Sequence, residues 1–159
     1  MHIARNGYRR RLGPGAVLVT IASIGLLPGL AWGQTIAPAP FTQAQSDAGR
    51  DSFMTSCASC HGENLAGGGA PALAGQSFST GAFGRRTTAQ LYTFIHDRMP
   101  FCEGGSLANE TYVNIVAFIL QANGAKPGNE PLTATTSVKV SDIVTGETPS
   151  GFLKNAKSN

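Results

Sequence analysis

Charge is scarce in this chain. Asp, Glu, Lys and Arg make up 13% of its 159 residues, about half the share of an average soluble protein. Cysteine is down to three, too few for a disulfide-rich scaffold. There is no glycine period of three and no sustained heptad, which excludes a collagen helix and a coiled coil. The longest apolar run, residues 16–27, falls short of the roughly 20 residues of a spanning helix. What is present is a 42% hydrophobic content with 20 glycines. That is not the composition of a disordered chain, and the length suits one domain.

The basic excess is local. Four of the twelve Lys and Arg residues (Arg5, Arg9, Arg10, Arg11) stand in the first eleven positions, and no acid precedes Asp47. Past them, eight bases face nine acids. A nucleic-acid partner is therefore not expected, because such a body needs positive charge to displace counterions from phosphates. The basic cluster, the apolar run, Pro28-Gly29 and the small residues of Ala31-Trp32-Gly33 follow the three-part pattern of an export signal. Residues 1–33 are read as a signal peptide cleaved near Gly33, with a retained membrane anchor as the alternative. The mature chain then has no membrane span unless the leader is kept, and it works in the periplasm. Residues 34–43 read as a linker, 44–124 as the domain, and 125–159 as a polar tail in which 137–144 alternates weakly enough for one strand.

Three helices are expected in an all-α domain. The first covers 43–58: Thr42 and Gln45 form a capping box, and Phe53, Met54 and Cys57 lie on its apolar side. The second covers 88–98, with Thr87 and Gln90 as a second capping box, and Pro100 stops it. The third covers 109–122, with Asn109 as N-cap and Gly124 as the stop. Between the first two, residues 62–86 are glycine-rich and loop-like.

The chemistry sits at Cys57-Ala58-Ser59-Cys60-His61. C-x-x-C-H is the attachment pattern of c-type haem. Two thiols one turn apart can each add to a vinyl group, and the adjoining imidazole then lies under the iron. A thioredoxin-like pair would need a preceding strand that the sequence lacks. A zinc site would have to draw on Cys57, Cys60, Cys102 and His61, with Cys60 and His61 awkwardly adjacent. A covalently held macrocycle also gives three short helices something large to enclose.

Taken in order, these motifs resemble the class I mono-haem cytochromes c over about residues 47–124. The carriers of the likeness are Gly49, Phe53 and Cys57–His61, then Pro71-Ala72-Leu73, Met99-Pro100, and the aromatic helix ending Asn123-Gly124. Gly105-Ser106-Leu107, Tyr112 and residues 121–128 look most like cytochrome subunits and domains that serve quinoprotein alcohol dehydrogenases. The resemblance implies a small cytochrome c fold of three to five short helices, its first and last helices crossing so that Gly49 and Phe53 meet Phe118. It implies one covalent haem c, with Cys57 and Cys60 as thioether anchors. His61 is the proximal ligand, Pro71 offers its carbonyl to the other ring nitrogen, and Met99 is the distal ligand. Met54 is too close to Cys57 to reach the far face, and His96 is the rival to Met99.

Two features stand apart. Arg85 and Arg86 suit haem propionates or a solvated loop equally. Cys102 is an odd cysteine, expected as a free thiol shielded by Phe101 and the cofactor, with an interchain disulfide as the alternative. Iron bound by His and Met has no open position, which favours one-electron transfer. The expected function is a periplasmic electron carrier, not an enzyme, whose partner is a quinoprotein dehydrogenase or a terminal oxidase. The alternatives are a haem enzyme or gas-binding protein with an open iron, and a zinc-binding structural module.

Overall fold

The computed structural model describes residues 38–153. The export signal and its cleavage point near Gly33 lie outside the described residues, as do 34–37 and 154–159.

The described chain folds into six helices with no sheet: α1 (Gln43–Ser56), α2 (Ala58–His61), α3 (Gln76–Ser79), α4 (Thr88–Arg98), α5 (Asn109–Ala122) and α6 (Val140–Ile143). Both capping boxes form. The Thr42 hydroxyl accepts from Gln45 N–H, and the Gln45 side chain accepts from Thr42 N–H. Thr87 and Gln90 exchange the same pair of bonds at α4. The third helix differs by one position: its N-cap is Ala108, with no side-chain cap, and Asn109 is already helical. The first helix ends earlier than the spacing suggests. Cys57 leaves helical geometry (φ −129°) and α2 starts afresh at Ala58, so the C-x-x-C-H segment occupies its own turn.

The core is the crossing of α1 and α5. At Gly49 the two backbones come so close that a Cβ would collide with the Asn114 carbonyl. One turn on, the Phe53 and Phe118 rings lie 5.3 Å apart, both fully buried. Helix α5 is apolar nearly all round, with Tyr112, Val113 and the run 115–120 buried. That pattern belongs to a helix enclosed on most sides.

The segments read as linker and tail complete this core. Ala39 and Phe41 are buried, and Ala39 N–H donates to Lys126 O at 2.8 Å while Gly128 N–H donates to Phe41 O at 2.8 Å. Beyond, Leu132, Val140, Ile143 and Val144 are buried as well. The strand considered over 137–144 does not form. Residues 140–143 make the single turn α6, and Lys139 joins only an isolated bridge to Thr87. The reason is local pairing. Val140 N–H and Ser141 N–H donate to the Arg86 and Gly84 carbonyls, so no extended partner is left for a ladder.

Candidate functional site

The C-x-x-C-H turn is held from below by its own loop. Gly62 N–H donates to Ala58 O, Gly67 N–H to His61 O and Ala70 N–H to Cys60 O, at 2.8, 2.9 and 3.0 Å. Gly62 (φ 78°) and Gly67 (φ 90°) are left-handed, where a Cβ would strain the turn. Leu65, inside the loop, is fully buried and anchors it.

This lap brings Pro71 back against His61. The His61 side chain is buried, and its Nδ1 lies 2.8 Å from the Pro71 carbonyl oxygen. A carbonyl only accepts, so Nδ1 carries a proton, and in the neutral ring the lone pair is then on Nε2. The imidazole is thereby set in the tautomer and orientation that an axial iron ligand needs.

Cys57 is half-buried and Cys60 exposed, and both thiols are free of disulfides. Burial, with a smaller contribution from Cys60, pushes the Cys57 thiol up to about 11. At neutral pH its sulfur is uncharged, as a thioether sulfur also is. Met54, on the helix leading into Cys57, is partly buried against the core.

Met99 is the C-cap of α4, extended (φ −129°, ψ 147°), and its side chain packs half-buried against the core. Its backbone is fixed on both sides. Met99 N–H donates to Ile95 O at 2.9 Å, and Tyr112 Oη donates to Met99 O at 2.8 Å. The His96 ring packs against Tyr92 and Tyr112, at centroid distances of 5.6 and 5.0 Å, and its Nδ1 meets the Asp97 carboxylate at 2.8 Å.

Sequence reasoning missed Asn123, which appeared there only as part of an Asn-Gly helix stop. It is wholly buried. Its side-chain amide donates to Leu73 O and Ile119 O, both at 2.8 Å, and its Oδ1 accepts from Gly75 N–H at 3.0 Å. Its backbone carbonyl accepts from Thr145 and Gly146 N–H, each at 3.0 Å. The loop carrying Pro71 is thus tied through one side chain to the end of α5 and to the tail.

Cys102 is exposed, and its neighbour Phe101, itself 82% exposed, does not cover the thiol. Arg86 does not reach out as a free loop charge: its guanidinium lies over Phe94 at 5.1 Å and Phe83 at 5.9 Å. Arg85 is exposed. As for the zinc alternative, no three His, Cys, Asp or Glu side chains gather into a metal-binding group among the described residues.

The described residues form a small all-α domain in which two thiols and an imidazole bonded through Nδ1 share one short segment, the pattern by which c-type haem is attached. The family comparison agrees. Residues 44–119 match the family model described as cytochrome C oxidase, cbb3-type, subunit III. That stretch is a cytochrome c domain, which implies a covalent haem c and a role in electron transport. No curated protein matches the chain. Among the described residues no helix is long and apolar enough to cross a membrane.

Proposed function

We propose that the chain is a periplasmic one-electron carrier in which Cys57 and Cys60 anchor haem c and His61 and Met99 hold its iron. The observation that carries this reading is the 2.8 Å contact between His61 Nδ1 and the Pro71 carbonyl, inside a C-x-x-C-H turn of a cytochrome c domain. That bond leaves Nε2 as the coordinating atom and raises its basicity. Met99 supplies a soft sulfur from a backbone pinned at both its N–H and its carbonyl. The iron supplies one-electron chemistry, and a thioether ligand raises its potential. Held by His61 and Met99 together, the iron would keep no open position for oxygen or peroxide, which favours one-electron transfer over catalysis.

The partner is a redox protein. The stretch 105–107 with Tyr112 and 121–128 resembles the cytochrome subunits of quinoprotein dehydrogenases, and the matching family model describes a terminal-oxidase subunit. Either kind exchanges single electrons with such a domain. The test is acid–acetone extraction of the purified mature protein followed by a pyridine haemochrome assay. One haem that stays with the polypeptide supports the reading, and haem that washes out refutes it.

A further inference from the structure

The loop from Met99 to Leu107 is exposed along most of its length and touches the preceding helix at Gly104 and Gly105. Residues 101–106 are all exposed, and only Met99 and Leu107 at its ends pack against the core. Inside, Glu103 N–H donates to Pro100 O and Ser106 N–H to Glu103 O, which close the loop on itself without fastening it to the body. Gly105 N–H donates to His96 O at 2.7 Å, on the preceding helix. Tyr112 is the one side chain among the described residues that hydrogen-bonds to this loop. Its hydroxyl does so twice, donating to Met99 O at 2.8 Å and accepting from Leu107 N–H at 3.4 Å. It therefore fastens both ends of the loop to α5. The ring is wholly buried, and the His96 ring, at 5.0 Å, packs against it. A phenol in that place is more than an apolar filler, since a phenylalanine would fill the same space and leave the Met99 carbonyl without its partner.

Resting on the assignment of Met99 as axial ligand, we propose that Tyr112 is the positioning residue for the distal side: its hydroxyl keeps the Met99 loop closed and so sets how often the thioether leaves the iron. A hydrogen bond to the ligand's own carbonyl acts on the backbone that carries the sulfur. Loss of the bond leaves the resting ligand set unchanged and raises the population of the open loop.

The test uses the haem-loaded ferric protein and added imidazole, which enters only when the methionine lets go. Tyr112→Phe is expected to keep the methionine–iron charge-transfer band and to bind imidazole about tenfold faster, the size expected for one lost buried hydrogen bond. Tyr92→Phe, the matched control whose ring also packs against His96, is expected to bind it at the native rate. Binding by Tyr112→Phe at the native rate overturns the proposal. Met99→Ala separates this from the parent assignment: if its spectrum equals the native one, Met99 is not the ligand and the parent reading fails. Should Tyr112→Phe not fold, the native ferrous protein decides by NMR. A slowly exchanging Tyr112 hydroxyl proton is expected, and a hydroxyl in rapid exchange with water overturns the clamp.

Discussion

At the scale of single residues, His61 and Cys102 show how differently neighbouring chemistry is treated. His61 is buried and its free choice of tautomer is removed by one carbonyl. Cys102 stands in the open, on a left-handed backbone (φ 67°) beside an exposed phenylalanine. The three cysteines thus make a direct check on thioether formation. The haem-loaded native protein is expected to take up one maleimide, at Cys102, and Cys102→Ser none, as read by mass spectrometry. A second label on the native protein would mean that one of Cys57 and Cys60 is not in a thioether, and a third that neither is. Cys102→Ser is also expected to leave the visible spectrum intact, since no proposed ligand depends on it.

At the scale of elements, α5 is the spine. Its first turn carries Tyr112, which fixes the Met99 loop, and its C-cap is Asn123, which fixes the loop of Pro71. Its middle meets α1 at Gly49, where only a hydrogen fits. Gly49→Ala is expected to lose about 1–3 kcal/mol by forcing the helices apart, measured by denaturant unfolding of the haem-loaded protein. A loss within error of zero would show that the crossing yields more easily than its geometry indicates. Asn123→Ala removes three side-chain hydrogen bonds and leaves the Gly75 N–H and the Leu73 carbonyl without that partner. A loss of about 2–4 kcal/mol is expected in the same experiment, while the charge-transfer band of the folded protein persists because Met99 is held elsewhere.

At the scale of the whole molecule, the cytochrome c match stops at residue 119, yet the core continues into the tail. Gln45, already part of the α1 capping box, exchanges two hydrogen bonds with the backbone of Leu132, at 2.9 and 2.8 Å. Thr88 donates its backbone N–H to Val138 O and its hydroxyl to Thr136 O. The Phe152 ring stacks on Phe118, and the Arg50 guanidinium lies near both rings and donates to the Phe152 carbonyl. A chain ended after Pro131 would uncover the sites of Leu132, Val140, Ile143 and Val144, each worth roughly 1.5–3 kcal/mol when buried. Its haem-loaded form is expected to melt well below the native protein by circular dichroism, and an unchanged midpoint would mean the tail is a passive covering. Much of this architecture could be read from the sequence. Both capping boxes announce themselves by residue type and spacing, as do C-x-x-C-H and Met-Pro. The tail could not be read, because Val140, Ile143 and Val144 are too few to set a period within a polar stretch. Tyr112 and Asn123 were hidden for a different reason: one looks like any member of an apolar stripe, the other like a helix stop, and their roles arise only when distant loops arrive. The central claim, iron held between His61 and Met99, is tested most directly by the ferric visible spectrum. The native protein and Met54→Ala are expected to show the methionine–iron charge-transfer band, and Met99→Ala to lose it. A native spectrum without that band, or a band that survives Met99→Ala, would contradict the assignment.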